Sequence, residues 1–216
     1  MSYKSKVENL YPLEFEILKN NGRLIDKWAN VYDHCKTEAA VALVLSDLLK
    51  LSNEERDILA KAAILHDWYK RVERETSVKG VDEYNKAVKD SYDKLLELGV
   101  DKRIVDVAHS VGHTSLSGIQ ATPDFLKKIM HFIDDITHGS MVVGIDKRID
   151  EIEKKEGYKE LNESGRVVHN GRTYFEVQRE VGNTIREEIE MSIIHHKQIK
   201  KGELLSILKN GINKYL

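Results

Sequence analysis

Four side chains of metal-ligand type occur in order along the chain: His34, the adjacent pair His66-Asp67, and Asp134. Imidazole nitrogen and carboxylate oxygen together suit borderline first-row ions such as Mn, Fe, Co, Ni or Zn, and carboxylates also admit Mg. The pair His66-Asp67 follows the apolar run AAIL, and Asp134 follows His-Phe-Ile. Both settings pull a polar group toward the interior, where a carboxylate is costly unless paired or bound to a cation. Each residue alone has a plainer explanation: a cap or satisfied core histidine for His34, a buried hydrogen-bonding group for Asp134, chance for the His-Asp dipeptide. The ordered set, with 32 residues from His34 to His66 and 67 from Asp67 to Asp134, points instead to one metal centre. Asp135 is expected to face outward. His109 and His113, four apart in AHSVGH, would share a helix face, where they could hold a second ion or flank a phosphate. The alternative leaves His113 against a helix C-terminus and His109 half-buried.

The elements that must position these groups are helical. AAVALVLSDLL, inside a helix expected from about Asp33 to Lys50, is apolar on nearly every side, which places it at the centre of a domain. Ser52 with Glu55 forms a capping-box signature for a helix from about Asn53 to Asp67. Adjacent helical residues point about 100° apart, so His66 and Asp67 can share an ion only near a helix end, and that helix ends there. Further helices are expected over Val81–Leu98, stopped by Gly99, over Asp101–Val111, and over Asp124–Thr137, with Pro123 at its start. Ser115–Thr122 reads as a polar loop. Val143–Lys155, Tyr174–His196 and about Gly202–Asn213 complete the helices. Leu161–Arg172 is the least helical stretch: Asn170-Gly171 between β-favouring runs predicts a small hairpin near 165–175, with a substrate lid as one use for it.

The pattern His34 … His66-Asp67 … Asp134, carried by TEAAVALVLSDLL after His34, ILAKAAILHDWYK and KIMHFIDDIT, resembles the HD superfamily of metal-dependent phosphohydrolases over about residues 30–140. The resemblance implies an all-α, HD-domain-like helical bundle with one or two divalent metals and hydrolysis of a phosphomonoester or phosphodiester, often in a nucleotide. A bound divalent ion would lower the pKa of its water, making hydroxide available to attack phosphorus. His34, His66, Asp67 and Asp134 would be ligands, Asp67 also the bridge to any second metal. Some members carry further histidines at places comparable to His109 and His113. Some carry a lysine where Lys70 stands in HDWYK, to meet phosphate as a point charge, and Arg71 is a weaker substrate-binding choice. A solvated surface lysine is the competing reading of Lys70.

Composition narrows the rest. The 216 residues suit a single domain, 1–216, with a core of about 30–140 and a C-terminal helical extension over 141–216. A formal net charge of −2 offers no global attraction to nucleic acid or an anionic membrane. The one cysteine, Cys35, excludes an intrachain disulfide and suits a reducing cytoplasm. MSYKSKVENLYPLEF lacks the apolar core of a secretory leader. No residue pattern reads a base, sugar or chain length, so the expected partner is only a small phosphorylated substrate such as a nucleotide. A homodimer through the C-terminal helices is an open alternative. Two other functions compete: a non-catalytic metal- or nucleotide-binding HD module, and a metal-free helical interaction protein. His131, His138 and the pair His195-His196 are read as surface, cap or neighbouring-support residues, and Trp28, Trp68 and Tyr69 as packing residues that could border a base.

Overall fold

The structure is a computed structural model that describes residues 5–77, 81–112, 115–155, 158–195 and 199–216. Its helices are α1 (Lys6–Leu10), α2 (Pro12–Glu16), α3 (Ala29–Leu49), α4 (Asn53–Leu65), α5 (Lys70–Ser77), α6 (Val81–Glu97), α7 (Lys102–Ala108), α8 (Leu116–Ala121), α9 (Phe125–Ile136), α10 (Ile145–Glu153), α11 (Lys159–Val168), α12 (Tyr174–Ile194) and α13 (Leu204–Gly211). One two-stranded antiparallel hairpin interrupts them, β1 (Thr137–His138) with β2 (Met141–Val142), in register Thr137↔Val142. The all-α architecture with a small hairpin agrees with the sequence reading.

The central helix is α3. From Ala39 to Leu45 every residue is buried, so no face of this stretch meets water. Burying each leucine there stabilises the fold by roughly 1.5–3 kcal/mol. Lys50, in the left-handed region at φ 55°, ends the helix, and the Ser52–Glu55 capping box starts α4 directly after it. α4 packs along α3 and also meets α7 and α9; α12 closes over α9, and α13 returns to α3. Gly22 touches the turn after α4 closely, since a Cβ there would stand 2.3 Å from the carbonyl oxygen of Trp68. The N-terminal segment therefore braces the turn that carries His66 and Asp67.

Three expectations are corrected. Residues near 165–175 form no hairpin: α11 runs to Val168, and Asn170 and Gly171, at φ 54° and 87°, make the turn into α12, which Thr173 caps with Glu176. Paired left-handed residues serve a helix stop as well as a hairpin turn, and Val167 is 90% exposed, with no strand partner to use its β preference. Ser115–Thr122 is largely the helix α8, which buries Leu116 and Ile119 and turns its polar residues outward. Pro123 lies outside α9, whose cap is Asp124. Among the described residues no helix is long and apolar enough to cross a membrane.

Candidate metal centre

Three central helices deliver the site. His34 and Glu38 sit one turn apart on α3, His66 follows the last residue of α4, and Asp134 lies in the last turn of α9. One ligand atom from each of His34, Glu38, His66 and Asp134 lies within 4.8 Å of the others. His34 Nε2 is 3.0 Å from Glu38 Oε1 and 3.4 Å from Asp134 Oδ1. Glu38 Oε2 is 3.1 Å from His66 Nδ1. That nitrogen also lies 2.9 Å from the carbonyl oxygen of Ala63. With its proton donated to Ala63, His66 keeps a bare lone pair on Nε2, the arrangement that orients metal-binding imidazoles.

The strongest local observation is what these atoms lack. His34 Nε2, His66 Nε2 and both oxygens of Glu38 are buried without a hydrogen-bond partner. Buried polar atoms are nearly always satisfied, so unpartnered atoms on three residues of one close cluster fit a cation-binding role. Electrostatics agree. Burial, then Asp134 and Asp67, push the Glu38 carboxyl well above its usual range. Burial also holds the His34 imidazole below its ordinary value, hence neutral and able to ligate. Asp134 stays ionised: burial raises its carboxyl, but the contact with His34 and the neighbouring His66 and Arg148 pull it well below the usual range. Two imidazoles and two carboxylates are a donor set for a first-row divalent ion.

Asp67 stands at the edge of the quartet rather than in it. Its Oδ2 is 3.8 Å from His66 Nε2, and its Oδ1 accepts from Lys70 at 3.0 Å. Burial raises this carboxyl, but Lys70, His66 and His34 outweigh it and leave it at about 2. Lys70 also lies 4.0 Å from Glu73, and with Asp67 that carboxylate keeps its ammonium charged against burial. Arg71 pairs along its own helix with Glu75, at 3.2 Å.

Glu38 escaped the sequence reading. The signal was present: one acidic residue inside a run apolar on every side, four residues from a candidate ligand. Asp135 is buried rather than outward, because α9 has α3 and α4 on one side and α12 on the other. Its Oδ1 accepts from Gln178 at 2.5 Å, and its Oδ2 is 3.5 Å from His131 Nε2. His131 is likewise buried, with Nδ1 3.2 Å from the Ser110 carbonyl oxygen. These contacts tie α9 to α12 and so hold Asp134 in place.

His109 is near the centre. α7 ends at Ala108 and His109 is its cap, at φ −86° and ψ 12°. His113 lies outside the described residues, as does His196. The His109 ring stacks edge-on to Tyr92 at 5.3 Å, its Nε2 is unpartnered, and burial with the nearby His66 lowers its pKa to about 4. Cys35 is a free, buried thiol, and burial raises its pKa well above the ordinary value. Trp68 and Tyr69 are core residues, and Trp28 packs against the core. Two surface hollows, one bordered by Tyr11 and Lys61 and one by Arg103 and Asp124, share no residue with the cluster. Helical architecture and a buried His/Glu/His/Asp cluster able to hold a metal are consistent with an HD-type fold. Comparison with known proteins adds nothing to this, since no family model, no curated protein and no solved structure matches the chain significantly.

Proposed function

We propose that this chain is an HD-type, metal-dependent phosphohydrolase acting on a phosphate ester, a nucleotide or a small phosphorylated metabolite. The observation that carries the reading is the set of four buried, unpartnered donor atoms on His34, Glu38 and His66, closed on one side by Asp134. When bound, a divalent cation supplies Lewis-acid polarisation and hydroxide near neutral pH. The residues of the chain do the rest. His34, Glu38, His66 and Asp134 would hold the ion. Lys70 keeps a positive charge beside Asp67, where a phosphoryl oxygen can meet it. Asp67, ionised, fixes that ammonium and can accept a hydrogen bond from water. His109 stays neutral at pH 7 and offers an unpartnered Nε2.

A second reading has its own support. Structural metal sites are closed by protein ligands, whereas catalytic ones keep a position open. Glu38 would be a fourth protein ligand, which favours a non-catalytic metal-binding module. Two measurements separate the readings: metal content of the purified protein, and a phosphatase and phosphodiesterase panel with Mn, Co, Ni and Mg, run beside His66→Ala and Asp67→Asn. Hydrolysis abolished by both substitutions supports the enzyme. Bound metal without hydrolysis supports the module. Hydrolysis that survives both substitutions refutes the site, and a chain that takes up no metal refutes both readings.

A further inference from the structure

α5 begins directly after the turn that carries Asp67, and five of its eight residues are charged. Arg71 pairs along the surface with Glu75 at 3.2 Å, and Arg74 donates to the Tyr158 hydroxyl. Glu73 turns inward instead, and only 8% of it is exposed. Among the described residues its carboxylate accepts no hydrogen bond, and its one ion-pair partner is Lys70, with Oε2 4.0 Å from Nζ. A carboxylate buried without hydrogen bonds is costly, and water was available on the outer face of the same helix. The contact with Lys70 therefore calls for a reason.

Spacing brings three charges together. Residues three apart share a helix face, so Lys70 and Glu73 lie on one side of α5. Asp67, three residues before Lys70, reaches the same ammonium from the preceding turn: its Oδ1 accepts from Lys70 Nζ at 3.0 Å. Its Oδ2 is 3.8 Å from His66 Nε2. Close contacts thus run from the metal cluster through Asp67 and Lys70 to Glu73. The cluster also meets solvent on this side, since the side chains of His34 and Glu38 are 7% and 0% exposed and those of Asp67 and Lys70 17% and 29%.

An ammonium has three N–H donors. Asp67 takes one. Glu73, at 4.0 Å, attracts the charge without taking another. Two donors remain on a head group held from both sides. A free lysine loses much rotamer freedom when it grips a ligand, and one already held loses less.

We propose that Glu73 is a positioning residue: together with Asp67 it clamps the Lys70 ammonium at the edge of the metal centre, leaving two N–H donors for an incoming phosphate oxygen. This rests on the reading of Lys70 as the phosphate contact of a phosphohydrolase. A clamp and a plain charge effect predict opposite signs. Removing a carboxylate near an anion site strengthens anion binding by Coulomb's law, whereas removing a clamp weakens it.

The test is titration calorimetry with inorganic orthophosphate, on metal-free protein and at a fixed free concentration of whichever metal the protein takes up. Wild type is compared with Glu73→Gln, Glu73→Asp, Lys70→Met and the double variant Glu73→Gln, Lys70→Met. In the condition that binds phosphate more tightly, Lys70→Met should lower affinity at least tenfold and Glu73→Gln at least threefold. Glu73→Asp, which keeps the charge on a shorter arm, should fall between Glu73→Gln and wild type. With methionine already at position 70, Glu73→Gln should change nothing, because its effect runs through Lys70. If Glu73→Gln fails to fold, Glu73→Asp with and without Lys70→Met completes the same cycle. Affinity that the Glu73 variant leaves unchanged or raises, or a loss of equal size in both backgrounds, overturns the proposal and leaves the role of Lys70 standing. Phosphate binding that is absent, or indifferent to Lys70→Met, in both conditions overturns the role of Lys70 and the clamp with it. A protein that takes up no metal yet shows the expected cycle loses the phosphohydrolase reading and keeps the clamp.

Discussion

Replacing Glu38 by methionine should raise stability without metal and cut the stabilisation that metal brings. In the metal-free protein Glu38 is fully buried and neither oxygen has a hydrogen-bond partner, while burial raises the carboxyl's pKa well above its ordinary value. An unsatisfied buried polar group of this kind costs about 1–3 kcal/mol. Methionine has a similar length and no such requirement. For a chain of this size 1 kcal/mol shifts Tm by about 2–4 °C, so metal-free Glu38→Met should melt about 2–12 °C higher than wild type. Metal opposes this gain. One ligand atom each of Glu38, His34, His66 and Asp134 lies within 4.8 Å of the others, within reach of a shared ion. Loss of a ligand should weaken binding by at least the roughly 100-fold seen at the upper end for residues that merely support ligands. At saturating metal that removes about 2.7 kcal/mol of linked stabilisation, or about 5–11 °C of the metal-induced shift. The assay is thermal unfolding of both proteins in chelator and in a series of metal concentrations, with metal content measured in parallel. A variant that melts lower without metal, yet gains as much from metal as wild type, would show that Glu38 is a satisfied structural carboxylate and that the argument from orphaned atoms is wrong.

Two further perturbations test the supports of the site. A Cβ at Gly182 would stand 2.8 Å from Asp135 Oδ2 and 3.2 Å from Ile145 Cδ1. Because Gln178 pins that carboxylate, Gly182→Ala should destabilise by about 1–3 kcal/mol, whereas Gly118→Ala, with nothing within 4 Å, should be neutral or stabilising; equal melting temperatures for the two variants would contradict the packing of α12 on α9. His109 titrates near 4 when folded against an ordinary value of 6.5, lowered by burial and by His66. The unfolded chain therefore takes up the proton first, and the stability held by neutral His109 is complete above about pH 6.5 and lost as pH falls toward 4. One proton gives a slope of at most about 1.4 kcal/mol per pH unit. Denaturant unfolding between pH 4 and 7 should show a shallower acid loss in His109→Gln, and parallel curves for the two proteins would refute the burial of a neutral ring.

How much was legible can be judged residue by residue. The amphipathic and apolar periods announced α3, α4, α6, α9 and α12 within a few residues, because the period of side chains around a helix is written in neighbours three and four apart. The capping box at Ser52 is equally local, and the one at Thr173 was as local but went unread. The short helices α5 and α8 carry too few apolar residues for a period to stand out. Asn170-Gly171 misled because left-handed backbone is common to hairpin turns and helix ends, and only the packing of α11 on α12 selects between them.

The same division runs through the site. From sequence alone come a helical chain and three of the four clustered donors, His34, His66 and Asp134, since an imidazole or carboxylate set against an apolar run is visible without coordinates. Tertiary structure decided the rest. It made Glu38 the fourth donor, set Asp67 beside Lys70, buried Asp135 against Gln178, and made His109 the cap of α7. The reason is physical: local periodicity says which residues share a face, but which faces are covered twice, and which side chains from different helices reach one point, depends on contacts between segments far apart in the chain.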